Sequence, residues 1–492
     1  MTMDTLVERV EEFEGLAWET LGVWVVILVG IYLTVRTGGV QIRHIPGMFR
    51  AITDRAQRDE QGRTRSLSAF QAFTITASAR VGTGNVAGVA TAIALGGPGA
   101  VFWMWVMALL TSASSFVEST LAQLYKTRRF DTYKGGPAYY IERGLGSRLV
   151  GIFFAVIFIF CFALSFTSLQ ANTITDAVTS AAATAGMDDT TGLSWGLAVG
   201  LTLAAGLIVI AGLRSVARVA QNLVPLMAML YILLGLIVVG MNIDQLPDVI
   251  SLIFSEAFNL QSAVGGGLGA VILQGIQRGM FSNEAGMGSV PNVAATADVS
   301  HPAKQGLVQT LGVYLDTLII CSVTAFIILV TFPDPVSHAE ANPGVELTQS
   351  ALETGFGTFG AIALATIILL LAFTSILGNY SYGEANILFI SQKESVRKVF
   401  AIVLTAVVFI GSVIDVELAW AIAGVTMVII ALFNLTVIVL LGSKSFRLLK
   451  HYEHQRKQGL DPVFRASEMP DLQNVECWDE KDVAGFSRQR QD

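Results

Sequence analysis

The sequence predicts an all-helical membrane protein with about eleven transmembrane helices: one peripheral N-terminal span, then a five-plus-five inverted repeat with two broken helices. Three observations predict it. The 492 residues are 53% hydrophobic and only 14% charged, against roughly 25% charged in soluble domains. The apolar residues fall in runs long enough to cross a hydrocarbon core. Lysine and arginine alternate from loop to loop, as orienting charges do. The net charge of −7 carries little information about partners, because the charges are segregated by side.

The N-terminus is acidic, with Asp4, Glu8, Glu11, Glu12 and Glu14. A cleaved signal peptide starts basic, so the first apolar run, 18–37, is expected to be retained. The second span, 67–97, is broken. The third to sixth run over 100–125, 150–179, 193–212 and 221–243. The seventh, 263–293, is broken again. The eighth to eleventh cover 306–331, 358–390, 397–414 and 417–442. The expected organisation is one transporter domain over 1–442, with repeats at 67–243 and 263–442. A polar tail, 443–492, follows, with a short helix near 448–458.

The segment 38–66 carries Arg43, Arg50, Arg55, Arg58, Arg63 and Arg65, and 126–149 carries Lys126, Arg128, Arg129, Lys134, Arg143 and Arg148. Arg214 and Arg218, Lys304, and Lys393, Arg397 and Lys398 follow on alternate loops. The intervening loops 180–192, 244–262 and 332–357 hold acids and no lysine or arginine. This alternation predicts an outside N-terminus and a cytoplasmic C-terminus in the inner (plasma) membrane. The two blocks of five then have opposite topologies. Cys161, Cys321 and Cys477 form no disulfide framework, and zinc-ligand spacing is absent.

Each block opens on the same spelling. Arg80 and Arg278 are each followed five positions on by Asn, then by any residue, Ala and Gly, and they stand 198 positions apart. Lipid cannot satisfy a broken backbone, so such breaks must be buried in protein or line a cavity. Broken first helices in inverted repeats point to a secondary transporter with its site at mid-membrane. In the first break, Gly82-Thr83-Gly84-Asn85, the carbonyls of Ser78 and Val81 suit a cation, and the N–H groups of Thr83 to Asn85 suit a carboxylate. Close packing through small residues is the alternative. In the second break, Phe281-Ser282-Asn283, Phe281 can wall a ligand and Asn283 can bond it. The alternative is a packing ring and a capping amide.

Thr374 and Ser375 put adjacent hydroxyls in the ninth span, where they can complete a sodium shell or bond back to their own helix. Ser375 and Asn379 are four apart and face one way. Gln170 sits mid-span, where it pairs with another helix or lines the path. Glu118, Asp176, Asp316 and Glu384 lie in or near spans. Each is expected to be structural or interfacial rather than a proton relay, and one or two can pair with Arg80 or Arg278.

The stretches Gly82-Thr-Gly-Asn-Val-Ala-Gly-Val-Ala-Thr-Ala-Ile93 and Gly96-Gly-Pro-Gly-Ala-Val-Phe-Trp-Met-Trp105 resemble a signature of the alanine/glycine:cation symporters, the sodium:alanine symporter family. Arg278-Gly-Met-Phe-Ser-Asn-Glu-Ala-Gly-Met-Gly-Ser-Val-Pro291 resembles that family's second hallmark, and the likeness extends over about 15–445. The resemblance implies the inverted-repeat fold of bacterial amino-acid transporters. It also implies symport of alanine or glycine with Na⁺, or in some members H⁺. It places the pocket on Gly82, Thr83, Gly84, Asn85, Gln170, Phe281, Ser282, Asn283, Ser375 and Asn379. It places Na⁺, a coupling ion and not a prosthetic group, on the Ser78 and Val81 carbonyls with the Thr374 and Ser375 hydroxyls. Many members resembling this pattern carry Trp where this chain has Asn379.

Other classes fit less well. A channel gains nothing from inverted halves with paired breaks. No activated serine motif or HExxH run lies in a span, and no P-loop is present, which argues against an enzyme or an ATP-driven pump. The expected partners are a small neutral amino acid, Na⁺ and the bilayer, with no nucleic acid and no obligate protein partner.

Overall fold

The computed structural model describes residues 3–57, 66–129, 132–259, 267–341, 344–414 and 416–488. The expected start of the seventh span, 263–266, and Arg58, Arg63 and Arg65 lie outside the described residues. Among the described residues, eight helices are long and apolar enough to cross a membrane: Glu12–Arg36, Ala100–Leu124, Arg148–Thr184, Thr191–Ile210, Leu213–Met241, Pro302–Thr331, Thr358–Ile390 and Ile422–Lys457.

Three further elements complete the eleven. The second span is two helical pieces, Ala69–Arg80 and Gly84–Gly96. The seventh is Gly267–Asn283, of 17 residues. The tenth is Glu394–Gly411, whose first turns carry Glu394, Arg397 and Lys398 and so dilute its hydropathy. The chain is an all-α polytopic membrane protein.

Local chemistry sets the helix starts. Ser68 caps the second span, accepting from Gln71 N while the Gln71 side chain accepts from Ser68 N, which satisfies two end donors reciprocally. His301 caps the eighth span ahead of Pro302, its Nδ1 accepting from Ala303 N at 3.1 Å. Two elements outrun their expected bounds. The sixth span begins at Leu213 and not at 221, straight after Gly212 (φ 85°). The eleventh belongs to one helix, Val416–Lys457. The short helix expected near 448–458 is therefore the end of that helix and no separate element. Charged and polar residues let it continue beyond the apolar stretch.

The tail is docked, where the sequence reading left it an appendage. Trp478 is buried, and its Nε1 donates to the Gln123 carbonyl at 3.0 Å. The Lys126 ammonium lies 4.1 Å from the Trp478 ring centre and 4.0 Å from that of Tyr133. Arg128 pairs with Asp482. Ser300 donates to the Pro462 carbonyl at 2.7 Å, and Phe464 N donates to Ser300 O at 2.9 Å. Lys304 bridges Asp54 and Asp461 at 2.7 and 2.8 Å. Segments that the charge alternation assigns to one side thus meet on one face.

Candidate functional site

The site grows from one close approach. Gly378, in the ninth span (Thr358–Ile390), packs directly on the first broken helix; a Cβ there would lie 2.6 Å from Ala79 Cβ. This contact brings Ser375, one turn earlier, onto the broken end. Its Oγ donates toward the Ser78 carbonyl at 2.9 Å and the Val81 carbonyl at 3.4 Å, besides Leu371 O at 3.1 Å in its own helix. Thr374 turns elsewhere. Its hydroxyl donates to Leu371 O at 2.9 Å and lies 3.2 Å from Met227 Sδ. Three of the four expected cation ligands therefore converge, all through oxygen, and the fourth faces the sixth span. Such an oxygen set suits a hard cation.

The first break is narrower than expected. The helix ends at Arg80, Val81 (φ −78°, ψ 88°) caps it, and helical turns resume by Thr83. The widened π-helical stretch Gly84–Gly88 then relaxes into Val89–Gly96. Asn85 laces the gap, its Oδ1 accepting from Gly82 N at 2.9 Å. The N–H of Thr83 donates to Gln170 Oε1 at 3.2 Å and that of Asn85 to Gly82 O at 3.2 Å. These two N–H groups are engaged within the protein, contrary to the expectation that both await a carboxylate. Glycine is required at two contacts. A Cβ on Gly82 would meet the Ser375 hydroxyl and lie 2.9 Å from Gln170 Oε1, and one on Gly84 would lie 2.9 Å from Phe281 Cδ1.

The second break also differs from expectation. Phe281, Ser282 and Asn283 are the last residues of the helix Gly267–Asn283, and the break begins at Glu284, with φ 55°. Asn283 closes the helix: its Oδ1 accepts from Ala285 N at 3.0 Å and its Nδ2 donates to Thr317 Oγ1 at 3.0 Å. Phe281 stands between Phe166 and Trp420, with ring centres 4.9 and 5.0 Å away. Asn379 is buried, and neither its Oδ1 nor the buried Thr83 Oγ1 finds a protein partner among the described residues. Polar atoms held in a buried site without a protein partner are what a polar ligand satisfies.

Arg80 behaves otherwise than expected. Among the described residues no ion pair joins Arg80 to a carboxylate. It donates to Gln309 O and Ser115 Oγ, each at 3.1 Å. Arg278 lies over the Trp420 ring at 5.5 Å. Glu384 pairs with Lys134 at 3.3 Å and with Arg397 at 3.8 Å. Glu118 accepts from Gly286 N, Gly288 N and Asn434 Nδ2 at 3.2, 3.1 and 2.8 Å. Asp316 binds Asn85 and Ser282, each at 2.7 Å, and so joins the two break segments. Sequence reasoning missed this role, and nothing in the spelling around Asp316 signals it.

The family model described as sodium:alanine symporter family matches residues 3–466. The chain belongs to the sodium:alanine symporter family. It is an amino-acid symporter and not an enzyme. It is 46% identical over 462 residues to the amino-acid carrier protein AlsT of Bacillus subtilis, covering 94% of this chain and 96% of that one. It is 35% identical to the sodium/proton-dependent alanine carrier protein of Bacillus sp. PS3, covering 84% and 94%. Among solved structures it resembles that of MhsT in complex with L-phenylalanine, with a TM-score of 0.58 and 13% identity over 87% of this chain and 99% of the other. That likeness is one of fold. It covers most of this chain and nearly all of the other.

Proposed function

We propose that this protein imports a small neutral amino acid of the alanine/glycine class, driven by the Na⁺ gradient. The observation that carries the reading is the convergence of the Ser78 and Val81 carbonyls on the Ser375 hydroxyl at the first break. Sodium is cargo here. Binding at this junction ties the ninth span to the broken helix, so ion occupancy and the shape of the break become one variable. The substrate sits beside it, against Gly82, Thr83, Gly84 and Gln170, with Phe281 as an aromatic wall and Asn379 offering both a donor and an acceptor. The protein sits in the plasma membrane with its N-terminus outside and its C-terminus in the cytoplasm, an orientation that rests on the charge alternation. The names of the relatives, an amino-acid carrier and a sodium/proton-dependent alanine carrier, agree with this assignment.

The test is uptake of labelled alanine into proteoliposomes with an imposed Na⁺ gradient. Accumulation above the external concentration, lost when the gradient is collapsed, is expected. Equilibration without accumulation would identify a channel. Accumulation indifferent to Na⁺ would remove sodium from the mechanism.

A further inference from the structure

We propose that Glu14, on the helix that precedes the first span, is a positioning residue that clasps the substrate pocket shut at the end away from the docked tail. The proposal rests on reading Phe281 as a wall of that pocket. Two helices flank this end. The seventh span, Gly267–Asn283, leads through the second break to Ser300, which meets the tail. The helix Val416–Lys457 also runs towards the tail. Gln277 thus lies one turn farther from the tail than Phe281, and Trp420 one turn farther than Gly424.

Side chains bridge the seam between these two helices. Nearest the break, the rings of Phe281 and Trp420 stand with centres 5.0 Å apart. One turn out, the Arg278 guanidinium lies over the Trp420 ring at 5.5 Å. On the same turn Gln277 is buried, and its Nε2 donates to Glu14 Oε1 at 2.6 Å. Gln277 and Phe281 are four apart and share a helix face, as do Trp420 and Gly424. Glu14 touches the second helix too: a Cβ on Gly424 would collide with its carboxyl group. The absent side chain of Gly424 makes the room that this carboxylate fills.

Glu14 belongs to neither helix of the seam. It sits on Met3–Ala17, which continues through the π-helical turn Trp18–Gly22 into Val23–Arg36. Trp18, four residues on and on the same face, is fully buried and fixes which way Glu14 points. A carboxylate only accepts, so it suits the amide hydrogens of Gln277, and a bond to a charged acceptor is among the stronger kinds. Alternating access opens one end of a central site at a time. Opening this end parts Phe281 from Trp420 and draws Gln277 away from Glu14. The clasp therefore adds to the cost of opening here and slows the escape of bound substrate. The segment before the first span, outside both repeats, thus contributes a working residue to the transport cycle.

The experiment uses the purified full chain loaded with labelled alanine in Na⁺. Release is followed after dilution into unlabelled alanine. Glu14→Ala and Gln277→Ala should each speed release by roughly 10- to 150-fold, the range for one lost hydrogen bond to a charged group. The double variant should release no faster than the quicker single one, because the two residues form one contact. Glu14→Gln keeps an acceptor and should release more slowly than Glu14→Ala. Gly424→Ala displaces the carboxylate without removing it, and should match Glu14→Ala. A merely structural Glu14 would lower the melting temperature and leave release at the wild-type rate. Wild-type release in both Glu14→Ala and Gly424→Ala overturns the proposal, as do additive effects in the double variant. A wild type that binds no alanine sinks the reading of the pocket, and the proposal with it.

Discussion

The two breaks share a spelling and differ in shape. At the first, only Val81 and Gly82 leave the helix, and the chain resumes helical turns through Gly96. At the second, the helix runs to Asn283 and does not resume; the backbone turns through Glu284, Gly286 and Gly288 at φ 55°, 88° and 77° before the short helix Pro291–Ala294. The position of glycine explains the difference. In the first, Gly82 and Gly84 precede the asparagine, so the helix opens before it. In the second, Gly279 lies a turn earlier inside the helix, Met280, Phe281 and Ser282 directly precede the asparagine, and Gly286 and Gly288 follow it, so the opening comes after. The first break leaves carbonyls facing Ser375. The second turns N–H groups onto the buried carboxylate of Glu118.

That contrast can be broken by substitution. Glu118→Ala strands the N–H groups of Gly286 and Gly288 and the amide of Asn434. Each unmet buried donor costs ~1–3 kcal/mol, so a loss of about 3 kcal/mol or more is expected, read as a large fall in melting temperature in detergent. Glu118→Gln retains an acceptor and should fall less. An unchanged melting temperature in Glu118→Ala would show that the second break does not depend on this anchor.

At the first break the expected effect is on ion affinity. Ser375→Ala should raise the Na⁺ concentration for half-maximal uptake by roughly 5- to 150-fold, equivalent to ~1–3 kcal/mol for one lost polar partner. Thr374→Ala should shift it less, because that hydroxyl is turned to Leu371 O and Met227 Sδ. Equal shifts would mean that Thr374 swings round to the ion, and no shift in either would move the cation elsewhere.

The smallest effect concerns side-chain size. Asn379→Trp should narrow the substrate range, favouring glycine and alanine over serine and threonine by about tenfold, the lower end of what apolar pockets achieve per methylene. Competition against alanine uptake measures it. An unchanged rank order would place Asn379 outside the pocket.

Much of this was legible in the sequence. Apolar length marked the spans, and the charge in Glu394, Arg397 and Lys398 did not hide the tenth from reading, although it lowers its hydropathy. The glycine-rich stretch marked the first break, and the four-residue step from Ser375 to Asn379 placed both on one helix face. What sequence could not supply was partnership across space. Arg80 found a carbonyl and a hydroxyl in place of an acid. Gly378 looked like any membrane-helix glycine, yet its contact with Ala79 seats Ser375. The shared Arg-to-Asn spelling suggested matching breaks, because the effect of glycine order on the backbone shows only once the helix ends are seen.

The docked tail imposes an order on assembly. Trp478 closes over the carbonyl of Gln123, 355 positions earlier in the chain, and Ser300 waits 162 positions for Pro462. Those partners leave the ribosome long before the residues that cover them. Lys126 is buried with the Trp478 ring against it, so it stays uncovered until Trp478 has been made. Docking also demands that Asp54, Gln123, Ser300 and Asp461 stand on the same side of the bilayer. A nascent chain with one span inserted the wrong way round would leave some of those partners across the membrane, and its last segment would find nothing to close against. The docked tail thus ties together loops that lie far apart in the chain, and its contacts need those loops on one side of the bilayer.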